Sequence, residues 1–101
     1  MMPTGITLDA ERLREIAQRH GVRELSLFGS LVRGDGTVDS DVDVLVSFQD
    51  GVPIDLDRWM ALRDELTALF QREVDLVLER NLKNPYRRRE ILSTRQVVYA
   101  A

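Results

Sequence analysis

The chain has 101 residues with 14 Lys+Arg against 17 Asp+Glu, a net charge of −3. That length predicts one small domain over residues 1–101 with no separate substrate domain, so any deep cleft lies on a single core or is completed by a partner. Hydrophobic residues at 44% and charged residues at 31% exclude a disordered chain, and the absence of cysteine excludes disulfides, thiolate catalysis and cysteine-ligated metal.

Met1-Met2-Pro3-Thr4-Gly5 lacks the basic start and apolar core of a secretory signal, and no apolar run approaches the ~20 residues of a membrane span. The expectation is a cytoplasmic protein with no membrane partner. From Asp9 to His20, Leu13, Ile16 and Ala17 recur at helical spacing, with Asp9 or Thr7 as cap and Gly21 as terminator. The lone histidine, His20, is read as a partner for the helix C-terminal dipole, and a zinc site is not expected. Leu25 to Phe28 is a short strand ending at Gly29, and a short helix follows it. From Asp41 to Phe48 valines alternate with other residues at period two, with Asp41 and Asp43 leading the second face. Asp55 or Asp57 opens a long helix with Trp59, Leu62, Leu66, Leu69 and Phe70 on one stripe. Val74 to Leu78 is a strand, Pro85 starts a helix running to about Thr94, and Val97 to Tyr99 is a terminal strand. The order predicts an α/β (α+β) fold, a small mixed sheet flanked by helices. Between Arg80 and Arg95 six basic residues face Glu90 alone, so the rest of the chain is acidic and direct nucleic-acid binding is not expected. This basic stretch is either a solvated helix face or a contact for a phosphate or an acidic partner.

Two short motifs carry chemistry. A strand that ends in Gly29-Ser30 and turns into a helix presents unpaired backbone N–H groups, a natural site for an anion. Gly29 lets a phosphate approach the backbone, and Ser30 adds a hydroxyl donor. The Gly-Lys-Ser/Thr of a P-loop is missing. Asp41 and Asp43, two apart on a strand, project side by side and repel unless a cation neutralises them, and Mg²⁺ suits such carboxylates together with substrate phosphates. Asp75 interrupts an apolar strand, a costly place for a carboxylate unless it points to a site; Glu73 is the competing candidate. Should the two strands be neighbours, three carboxylates meet at one sheet edge, as a two-metal phosphoryl-transfer site requires.

Gly29-Ser30, ten intervening residues and Asp41-x-Asp43 resemble the signature of the DNA polymerase beta-like nucleotidyltransferase superfamily. The short length, Arg33-Gly34 between the motifs and the later Asp75 are most similar to its minimal nucleotidyltransferases, the MNT domain proteins. The resemblance implies that Gly29 and Ser30 hold the terminal phosphates of ATP. It also implies that Asp41 and Asp43 ligate two Mg²⁺ ions, and that Asp75 joins them and activates the incoming hydroxyl. Arg33 either contacts the triphosphate or braces the loop through Asp35 or Asp39, and Ser40 orients Asp41. The implied reaction is transfer of AMP from ATP to a hydroxyl with release of pyrophosphate.

No further domain for an acceptor is expected within these 101 residues, which favours a partner that brings the hydroxyl itself. The resemblance implies a HEPN-domain toxin as that partner, nucleotidylated on a tyrosine by this chain as antitoxin; by its basic charge the Arg87–Arg89 segment is a candidate contact for such a partner. Two alternatives stand beside it: an antitoxin that neutralises by binding alone, and a nucleotidyltransferase acting on a small hydroxylated molecule.

Overall fold

A computed structural model describes residues 9–34 and 40–101; Met1 to Gly5, Thr7, Asp35 and Asp39, on which parts of the sequence reading fall, lie outside them. The elements run α1 (Ala10–Arg19), β1 (Val22–Phe28), α2 (Ser30–Arg33), β2 (Val42–Phe48), α3 (Leu56–Phe70), β3 (Val74–Leu78), a 3₁₀ turn (Glu79–Asn81), α4 (Pro85–Thr94) and β4 (Gln96–Ala100). The strands form one mixed sheet in the order β3-β2-β1-β4. β1 is antiparallel to both β2 and β4, whereas β2 and β3 run parallel. A parallel pair needs a crossover, and α3 supplies it.

Each long helix starts where a short polar side chain meets its first unpaired amides. Asp9 accepts from the Arg12 N–H at 3.1 Å and Asp55 from the Arg58 N–H at 2.8 Å. Asn84 accepts from both the Tyr86 and Arg87 N–H groups, with Pro85 fixing φ at the first helical position. α1 ends at His20, and Gly21, at φ +70°, reverses the chain beside Val52.

Period-two alternation divides the sheet into two unequal faces. Leu25, Leu27, Val44, Val46 and Leu76 point to the larger core, where Leu13 and Ile16 of α1 and Leu62 and Leu66 of α3 cover them. Phe28 and Leu45 point the other way and form a smaller cluster with Leu82 and Ile91. α4 covers that second face for only part of its length. It is held there by Ile91 and by Arg95 at its end, which pairs with Glu24 of β1.

Glu65 on α3 ties α1 to the bundle by pairing with both Arg19 and His20. Burial pushes the Glu65 carboxyl up, but the hydrogen bond and charge of His20, joined by Arg19, leave it below its ordinary 4.5. A carboxyl lowered on folding stabilises the native state above its unfolded value, and that contribution disappears as pH falls through the folded value. Glu65→Gln is therefore expected to cost about 0.5–1 kcal/mol near neutral pH. Thermal melts of the two proteins should differ there and converge when the pH is taken well below 4.5.

Candidate active site

The sheet's second face carries the acidic residues. Asp43 lies on the same side of β2 as Leu45, and the parallel register sets Asp43 directly opposite Asp75 on β3. Asp41, immediately before β2, belongs to the same side by alternation. Glu73 offers its carbonyl to the Val42 N–H at 2.9 Å, while Asp75, not Glu73, acts on the Asp43 charge. Burial raises the Asp43 carboxyl above its ordinary 3.8, the negative charges of Asp75 and Asp41 raise it further, and Arg33 and Arg87 pull it part-way back.

β1 ends beside this carboxylate. Phe28 pairs with Asp43, and the next residue, Gly29, turns the chain at φ +82° into α2. A Cβ at Gly29 would overlap Asp43 Oδ2, so glycine is required twice, for its left-handed backbone and for the closeness of the carboxylate. The sequence supplies the first reason and hides the second. Gly29 gives α2 no side-chain cap, and the turn closes through the Arg33 N–H on the Gly29 carbonyl at 3.0 Å. The first amides of α2 have no acceptor within the helix, and Gly29 and Ser30 line the same cavity as Asp43.

A cavity of ≈ 440 Å³ opens in front of this turn, with Gly29, Ser30, Arg33 and Asp43 on one wall and Arg87, Glu90, Ile91 and Thr94 of α4 on the other. The sequence leaves the basic stretch open as a solvated face or a contact for a phosphate or an acidic partner; the structure singles out Arg87 of that stretch as part of this wall. The signal was present, since residues 87, 90, 91 and 94 fall at the i, i+3, i+4, i+7 spacing of one helix face. Asp41 and Asp75 are exposed and lie outside this wall. Among the described residues no three acidic or histidine side chains are gathered tightly enough to hold a metal ion. The donor chemistry nonetheless fits a hard cation: three carboxylates on adjacent strands, with Asp43 under repulsion from the other two, is the environment oxygen-seeking Mg²⁺ relieves.

Residues 10–98 match the family model described as the nucleotidyltransferase domain. The chain belongs to the nucleotidyltransferase domain family. It is 42% identical over 86 residues to the protein adenylyltransferase MntA of Thermococcus cleftensis, an alignment covering 85% of this chain and 82% of that protein. The fold superposes with a TM-score of 0.71 on a crystal structure of a toxin–antitoxin with AMP-PNP, at 20% identity, covering 93% of this chain and 75% of that one. It also superposes, with a TM-score of 0.62 at 17% identity, on a complex of a tri-AMPylated Shewanella oneidensis HEPN toxin with MNT antitoxin, covering 91% of this chain and 70% of that one. The mixed sheet flanked by helices is thus the nucleotidyltransferase fold. Among the described residues no helix of this nucleotidyltransferase is long and apolar enough to cross a membrane.

Proposed function

We propose that this nucleotidyltransferase is a cytoplasmic antitoxin that transfers AMP from ATP to a tyrosine hydroxyl of a HEPN-domain toxin. The observation that carries the reading is the in-register pairing of Asp43 with Asp75 beside the Gly29–Ser30 turn. Nucleotidyl transfer requires a group that grips a triphosphate and a group that gathers positive charge at its α-phosphate, and this arrangement puts both on one side of one sheet. The relationship to a protein adenylyltransferase supports a protein acceptor.

In this reading the amides at the start of α2 and the Ser30 hydroxyl hold the β- and γ-phosphates, with Arg33 and Arg87 completing the charge around them. Asp41, Asp43 and Asp75 would hold two Mg²⁺ ions, which when bound supply neutralisation of the triphosphate and acidify the attacking hydroxyl. Asp75, at the exposed edge, takes part in removing the hydroxyl proton as its oxygen bonds to the α-phosphorus. The bond from the α-phosphorus to the β-bridging oxygen breaks, and pyrophosphate leaves. The protein contributes position and charge, and no histidine base is required; His20 is engaged with Glu65.

The test is mass spectrometry of a cognate HEPN-domain toxin after incubation with this chain, ATP and Mg²⁺. The expected product carries AMP on tyrosine, with pyrophosphate released in equal amount. Neutralised toxin without an adduct would instead assign the antitoxin activity to binding alone.

A further inference from the structure

The outward side of α4's first turn lies outside the cavity lining and carries an exposed aromatic side chain. Tyr86 is 86% exposed, the highest value among the exposed large hydrophobic side chains. Lys83 and Arg89 flank it, both exposed, and neither side chain has an ion-pair or hydrogen-bond partner among the described residues. This turn is also rigid in its setting: Asn84 caps it, Pro85 starts it, and Ile91 anchors the helix on the sheet. Tyrosine and arginine together on a fixed surface are the side chains that carry most of the binding energy at protein interfaces. The next residue, Arg87, lines the cavity beside Asp43, so this surface and the cavity share one turn of α4.

We propose that Lys83, Tyr86 and Arg89 form the docking surface for the acceptor protein, and that they select an acidic segment next to the hydroxyl that is modified. This rests on the reading of the chain as an enzyme that acts on a protein. Charge favours such a partner over RNA. The whole chain has a net charge of −3 although the stretch from Arg80 to Arg95 is basic, so the rest is acidic, and a long polyanion is attracted at that stretch and repelled elsewhere. A partner whose negative charge is confined to one segment meets only the attraction.

The test is isothermal titration of this chain with a cognate HEPN-domain protein in the absence of ATP, in three versions: wild type, Tyr86→Ala, and Lys83→Glu with Arg89→Glu. Tyr86→Ala should raise the Kd about thirtyfold. The charge-reversed protein should bind about tenfold more weakly and lose the salt dependence of the wild type. ATP binding, measured separately, should be unchanged in both variants. Equal Kd values in all three proteins, or no binding by the wild type, would overturn the proposal. A single-stranded oligoribonucleotide that binds the wild type and fails to bind the variants, with Kd for the protein unaltered, would assign the surface to RNA instead. Weakened docking without AMP transfer by the wild type keeps the docking surface and removes the enzymatic reading; intact transfer with unaltered Kd does the reverse.

Discussion

Asp43→Asn is expected to lower nucleotidyl transfer by about 10³-fold while raising the melting temperature. The two effects share one cause. Asp43 is partly buried, opposite Asp75 and near Asp41; burial first, and then the negative charges of Asp75 and Asp41, hold its carboxyl above 3.8. A carboxyl raised on folding is one whose ionised form destabilises the native state: the cost is full above its folded value and gone below 3.8. Asparagine keeps the shape and removes the cost, so the stability gap between variant and wild type should be present near neutral pH and close as pH falls toward 3.8. On the proposed mechanism the same substitution removes a charge that would position cations on the triphosphate, an effect worth several kcal/mol in the transition state. Thermal melts and initial rates on the same preparations check both halves. A variant that is inactive because it has unfolded would show the opposite change in melting temperature. Stability given up for a charged site is the usual balance between activity and stability.

Gly29→Ala should reduce transfer about 100-fold, for a reason separable from its effect on stability. At φ +82° any side chain strains the backbone by about 1–2 kcal/mol. In addition the new methyl would overlap Asp43 Oδ2, and the carboxylate must move. A displacement of about 1 Å at a reacting centre costs on the order of 100-fold in rate. Gly34 provides the control, because its φ is +87° and a Cβ there meets nothing within 4 Å among the described residues. Gly34 lies in the left-handed helical region at ψ 4°, where Gly29 has ψ −156°, so Gly34→Ala should lose less stability and retain transfer far better than Gly29→Ala. Equal activity losses in the two variants would show that strain in the turn, not the position of Asp43, governs the rate.

These predictions draw on features that the sequence displays unevenly. Binary pattern located β2 and α3, because Val42, Val44, Val46 and Phe48 alternate without interruption and Leu62, Leu66 and Phe70 keep a fixed helical spacing, whereas α4 was marked by Pro85 at its start. β1 begins three residues before the expected Leu25, since Arg23 and Glu24 hide the pattern where the strand meets solvent and its pairing with β2 shifts register. The spaced glycine–serine and aspartate motifs were legible because each side chain type has a local reason for its place. The pairing of residue 43 with residue 75 was not, since the register of two strands joined by a helix is set by how α3 packs, which no local pattern encodes. The contact between Gly29 and Asp43 depends on the same register one strand over. α4 was found as a helix, but its inward face was obscured because arginines occupy both the cavity side and the solvent side.

The most direct test incubates a cognate HEPN-domain protein with α-labelled ATP, Mg²⁺ and either the wild-type chain or the double variant Asp41→Ala, Asp43→Ala. Label on the partner with the wild type and none with a folded double variant is the predicted result. Label transferred equally by both proteins would show that the carboxylates of β2 do not carry the reaction.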